Sequence, residues 1–184
     1  MAPLAPLTAF HVGSLPHTDP ERACQLAFER FPDVLAWPQL PGRTPLENMY
    51  VQFSERFPGV VLDGERIYVD RTRDLDPELE VLYAASIEGD LSHGALSPEY
   101  ALGFYTFVDR VGQQSTPQFV KGQVTGPISW GLTVLDQNRR PILYDEILAD
   151  AVALHLQLKA RWQVQALRQI HDRVILSIDE PYMS

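Results

Sequence analysis

Asp179-Glu180-Pro181 sets two adjacent carboxylates immediately after the apolar run Val174 to Ile178. Two acids at the end of a buried strand cannot both be desolvated cheaply without partners. They are therefore candidates to face a ligand, a cation or a basic side chain. The structural alternative is that Asp179 caps the turn that follows and Glu180 is solvated. Near the other end of the chain, Gly13-Ser14 supplies backbone N–H groups and a hydroxyl in a turn of the kind both residues favour. His11 and His17 bracket that turn, either as hydrogen-bonded structural residues or as ligands. Zinc needs three or four nitrogen, sulfur or oxygen ligands, and no zinc-type spacing occurs in this sequence. Lys121 precedes a glycine inside an apolar run, where it reads as an ion-pair partner or as a base with a shifted pKa. Gly122 with Thr125-Gly126-Pro127 is not a phosphate loop, because the Gly-Lys-Ser/Thr ending is missing. Cys24 falls in an amphipathic stretch and is expected as a small buried hydrophobe. Trp37, Trp130 and Trp162 are expected in the core or in a pocket wall.

These residues sit at the ends of short apolar runs that alternate with helical patterns. Leu7 to Val12, broken by Gly13, reads as a first buried strand. Asp19 as N-cap, Pro20 at the first helical position and Glu21 in the first turn predict a helix over about 20–31, with Ala23, Leu26, Ala27 and Phe31 inward. Val34 to Trp37 is a second strand, closed by Pro38. Strand, helix, strand in this order is the pattern of a βαβ unit with parallel pairing. Val60 to Val69, with Asp63-Gly64 between two apolar runs, predicts a β-hairpin insertion near 58–70. Asp76-Pro77-Glu78 opens a helix to about Glu88, and Ser97-Pro98-Glu99 opens another to about Gly112. Phe119 to Val124 is a third core strand, Ile142 to Ile170 a long helix, and Val174 to Ile178 a fourth strand.

The expected fold class is therefore α/β, one domain over 1–184. It is an incomplete (β/α)8 TIM-type barrel of about four parallel strands, with an open doubly wound sheet as the competing architecture. A complete barrel takes about 250 residues, and this chain has 184. Polar, Gly or Pro elements follow each predicted strand, at the face where such barrels gather their binding groups. The 15 basic and 24 acidic residues leave a net charge of −9. With no basic run, that balance argues against a nucleic-acid partner and against an anionic membrane surface. No apolar run approaches the length of a spanning helix. MAPLAPLTAF lacks the basic and apolar regions of a signal peptide, and one cysteine cannot form an internal disulfide. The expectation is a soluble cytoplasmic protein.

Val120-Lys121-Gly122-Gln123-Val124-Thr125-Gly126-Pro127, followed after a long helix by Ile178-Asp179-Glu180-Pro181, resembles the catalytic barrel of cobalamin-independent methionine synthase. Val12-Gly13-Ser14-Leu15-Pro16 is similar to the Ile-Gly-Ser-Phe-Pro opening of that domain. Asn48-Met49-Tyr50-Val51-Gln52-Phe53-Ser54-Glu55 is similar to its Asp-Met-Val-Glu-Tyr-Phe-Gly-Glu segment. The motifs run in order along nearly the whole chain and cover the first half of the family's barrel. The same superfamily holds uroporphyrinogen decarboxylase and the corrinoid-dependent coenzyme M methyltransferases.

The resemblance implies methyl transfer onto the sulfur of a thiol such as homocysteine. Gly13, Ser14 and Asp179, with Glu180 beside it, would be substrate-binding: N–H groups near Ser14 for the carboxylate and Asp179 for the ammonium. In the complete family enzyme a zinc ion activates the thiol. Its ligands, a His-x-Cys pair, a glutamate and a later cysteine, lie beyond Asp-Glu-Pro, in segments this sequence does not include. The resemblance therefore assigns this chain no metal, no cofactor and no catalytic residue of its own, and implies that it is inactive alone. Val51 replaces a family glutamate that contacts the amino group, which leaves the acceptor open. The alternatives are a non-catalytic half-barrel binding module, or a relative of the corrinoid-dependent methyltransferases or the decarboxylase. Open edges of a half-barrel imply a complementary half-barrel chain or a homodimer.

Overall fold

The computed structural model describes residues 5–64, 66–114 and 116–183. Helix α1, Pro20–Arg30, starts as its sequence predicts: the Asp19 carboxylate accepts the N–H of Glu21 at 2.9 Å and of Arg22 at 3.4 Å. Ala23, Cys24 and Ala27 are buried in it, while Leu26 and Phe31 are half-buried. Cys24 is the expected buried residue, and burial pushes its thiol up to about 12. Strand β1 is Val34–Ala36. A short helix α2, Met49–Gln52, precedes the predicted hairpin of β2, Val60–Asp63, and β3, Arg66–Val69. The hairpin is antiparallel, with Val60 opposite Val69 and Asp63 opposite Arg66. Helices α3, Asp76–Glu88, and α4, Pro98–Gln114, follow the predicted pattern, although α4 is kinked at Ala101.

Strand β4, Phe119–Thr125, leads into helix α5, Pro127–Thr133, and a two-residue strand β5, Leu135–Asp136. Helix α6 is Glu146–Arg168, and β6 is Val174–Asp179. The long helix begins at Glu146 rather than Ile142 because Asp145 caps it: its Oδ1 accepts the Leu148 N–H at 3.0 Å. Strands β1, β4 and β6 form a parallel sheet in that order, with Val34 opposite Phe119. The hairpin makes a second sheet in the order β2-β3-β5.

The first expected strand, Leu7 to Val12, is not a strand. Leu7, Phe10 and Val12 are exposed, so the run buries no continuous apolar surface. The backbone there makes one isolated parallel bridge, Ser14 to Gln39. Three of the four expected parallel strands are therefore present among the described residues.

The chain divides into two compact units. The first comprises Met1–Asn48, Ser97–Gln123 and Gln163–Ser177; the second comprises Met49–Leu96, Val124–Trp162 and Ile178–Ser184. The core of the first is built on β1, α1 and α4, where Trp37 packs edge-on to Phe104 at 5.6 Å and Phe28 stacks on Phe107 at 5.9 Å. The core of the second gathers Phe57, Trp130 and His155, with the Phe57 and Trp130 rings 4.9 Å apart. No helix among the described residues is long and apolar enough to cross a membrane.

Candidate functional site

In the first unit the Gly13-Ser14 turn lies against Gln39, which follows β1, and against Gln123 near the end of β4. Gln39 N–H donates to the Gly13 carbonyl at 2.9 Å, and Leu15 N–H donates to the Gln39 carbonyl at 3.0 Å. Gly13 has φ of 152°, which L side chains rarely adopt. A Cβ on it would lie 2.6 Å from Gln39 Oε1 and 2.7 Å from Gln123 Nε2. The glycine is thus required by its backbone conformation and by the two amides packed against it. Ser14 is exposed, and neither its N–H nor its hydroxyl has a partner among the described residues.

Beneath the turn is a chain of buried polar groups that satisfy one another. Lys121 Nζ donates to the Val12 carbonyl at 2.7 Å and to Gln123 Oε1 at 3.3 Å. Gln123 Nε2 donates to the Trp37 carbonyl at 3.1 Å. The Trp37 indole N–H donates to Gln163 Oε1 at 3.0 Å, and Gln163 Nε2 donates to the Gln123 carbonyl at 2.9 Å. Such a network fixes its members because each lost bond would leave a buried group unpaired. Lys121 thus supplies to Val12 the hydrogen bond that a neighbouring strand would otherwise give.

His11 Nε2 faces the Ala36 carbonyl at 3.0 Å, while its Nδ1 is buried without a partner among the described residues. Burial, helped by the Lys121 charge, holds His11 below the ordinary histidine range. His17 is half-buried in the same loop. Among the described residues no three His, Cys, Asp or Glu side chains gather as a metal site.

The two acids of Asp179-Glu180 separate into different roles in the second unit. Glu180 Oε1 accepts the Ile128 N–H at 3.0 Å and Oε2 accepts the Ser129 N–H at 2.7 Å. It caps α5 in place of Gly126, the residue at the cap position, which has no side chain. A Cβ at Gly126 would overlap the Glu180 carboxyl group. The Tyr182 N–H donates back to Ser129 Oγ at 3.1 Å, and Gly126 N–H donates to the Asp179 carbonyl at 2.8 Å. The Asp179 carboxylate is half-exposed and makes no hydrogen bond or ion pair among the described residues. It does not follow a buried strand as the sequence suggests, since β6 is half-exposed and Ile178 is 62% exposed.

Glu180→Ala removes both acceptors at the helix start, with an expected loss of about 1–2 kcal/mol. Glu180→Gln, which keeps one acceptor, is expected to lose less. Urea denaturation of the three proteins checks the order.

Sequence reasoning missed the roles of Gln39, Gln123 and Gln163, although Gln39 stood in a polar element after a predicted strand and Gln123 in a motif it singled out. The signal for the second was present, because Lys121 and Gln123 alternate on one face of a strand whose remaining residues are small or apolar. It also missed α5 and an apolar cleft of about 280 Å³ in the second unit, lined by Val124, Thr125, Leu156, Gln157, Ala160 and Ile178. Trp37 and Trp130 are core residues, whereas Trp162 is half-buried. Val51 is buried in α2. Comparison of the chain with family models, with curated proteins and with solved structures gives no match.

Proposed function

We propose that this chain is a methionine-synthase-like domain, the first part of a (β/α)8-type barrel, that binds a small thiol-bearing amino acid such as homocysteine. The observation that carries the reading is Ser14. It offers an N–H and a hydroxyl that are unpaired among the described residues, on a turn that only Gly13 permits, beside the C-terminal ends of parallel strands. Two donors on one residue suit a carboxylate, and a ligand there would find the supporting amides already fixed by Gln123, Trp37 and Gln163.

No zinc-dependent step is assigned to the described residues, because they do not fit that metal. Cys24 is buried, its Sγ rests 3.9 Å from the Gly103 carbonyl, and a thiol titrating at about 12 offers no thiolate. One observation favours a second reading, in which the chain binds without catalysing or acts on another substrate within the superfamily. Val51, at the position of a family glutamate, is buried and apolar and cannot answer an amino group.

Calorimetric titration with reduced L-homocysteine, and with L-homoserine and L-methionine alongside, tests the proposal. Saturable binding is expected, weakened about tenfold by Ser14→Ala, as befits loss of a charge-assisted hydrogen bond. Absence of saturable binding, or unchanged affinity in Ser14→Ala, would sink it.

A further inference from the structure

Helix α6 carries polar residues where its pattern calls for apolar ones: His155, Lys159 and Gln163 follow at four-residue spacing, all fully buried. In the second unit, His155 Nε2 lies 2.7 Å from the Phe53 carbonyl, so that nitrogen must carry the ring hydrogen. Its Nδ1 is buried with no partner among the described residues. The rings of Phe57, Trp130 and His93 surround it at 5.3, 6.3 and 6.4 Å. One turn along, Lys159 Nζ donates to the Ala95 carbonyl at 3.2 Å. That carbonyl is within reach because the 3₁₀ turn Leu91–Gly94 lies directly on the backbone of α6. A Cβ on Gly94 would overlap the Leu158 carbonyl. His93, on the same turn, also has a buried Nε2 without a partner among the described residues.

Three basic side chains therefore share one desolvated place. The other charged groups acting on them are Glu55 and Arg56, which follow α2, and Asp90, which precedes the turn. Asp90 is already engaged, accepting the Ser92 N–H at 2.9 Å. A second proton on His155 would have to sit on Nδ1, where no acceptor waits, one turn from an ammonium. We propose that the packing of the Leu91–Gly94 turn against α6 is a proton-operated latch, closed while His93 and His155 are neutral and released when a second positive charge enters the cluster.

The direction of the effect follows from burial. Desolvation, then the Lys159 charge, hold His155 well below 6.5, and the same causes lower His93. For a depressed base the unfolded chain takes up protons first. The latch is therefore secure above the ordinary histidine value and weakens as pH falls below it.

Hydrogen exchange followed by mass spectrometry, corrected for the intrinsic rate, reads this directly. Between about pH 6.5, where Lys159 is already charged, and about pH 5, peptides covering 90–96 are expected to lose protection about tenfold or more, while α1 changes less than about twofold. His155→Phe keeps an aromatic ring among Phe57 and Trp130 and should flatten the response. His93→Asn, at a half-buried position that tolerates polarity, should reduce it and serves as the reading if His155→Phe does not fold. An equal loss of protection in α1, or a full response retained in His93→Asn, would overturn the latch.

Discussion

Gly13→Ala is expected to destabilise the protein by about 2–4 kcal/mol, a loss made of two parts that no relaxation removes together. The first is conformational. At φ of 152° an L residue is strained whatever space surrounds it. The second is steric: the added methyl would stand 2.6 Å from Gln39 Oε1 and 2.7 Å from Gln123 Nε2. If Gln123 gives way, its bonds to Lys121 and to the Trp37 carbonyl are lost, and both are buried. If the turn gives way instead, the bridge from Ser14 to Gln39 opens and the donors of Ser14 move. Chemical denaturation should show the loss, and ligand binding should fall even where the protein remains folded. A variant within about 0.5 kcal/mol of the parent would mean that the turn is not held as described.

Lys159→Met works in the opposite direction. Free lysine titrates at 10.5 and Lys159 at about 7, with burial as the leading cause. That difference disfavours the charged form by about 5 kcal/mol, and leaving the Ala95 carbonyl without its donor returns about 1–2 kcal/mol. Methionine has similar length and flexibility and fills the same place. A net gain of about 3 kcal/mol is expected at neutral pH. The sign also fixes the pH profile. Because the folded value is depressed, the parent carries its full penalty below about pH 7 and sheds it as pH rises towards 10.5. The stability difference between parent and Lys159→Met should therefore shrink above pH 7 and reverse sign, by about 1 kcal/mol, near the value for free lysine. A constant difference across that range would show that Lys159 does not titrate in this way.

Local signals were the legible part of this fold. The Asp19 cap, the prolines at the starts of α1, α3 and α4, and the hairpin of β2 and β3 all depend on neighbours in sequence. The parallel strands β1, β4 and β6 were legible as apolar runs. The segment Leu7 to Val12 has the same composition yet forms no strand, since its exposed side chains and the Lys121 bond to Val12 are decided by distant residues. Glu180 looked like one of a matched pair of acids. Its use as the cap of α5 depends on an absent side chain 54 positions earlier, at Gly126. The polar stripe of α6 was hidden by the apolar residues flanking it, although the four-residue spacing of His155, Lys159 and Gln163 was its trace.

The proposal that Ser14 receives the carboxylate of a thiol amino acid is tested most directly by resolving where such a ligand acts. In a ¹H–¹⁵N correlation spectrum of the full chain, reduced L-homocysteine is expected to shift the amides of Gly13, Ser14 and Leu15 and the side-chain amides of Gln39 and Gln123, saturably. A spectrum in which those signals stay fixed at saturating ligand, or in which shifts appear only elsewhere, would contradict the account.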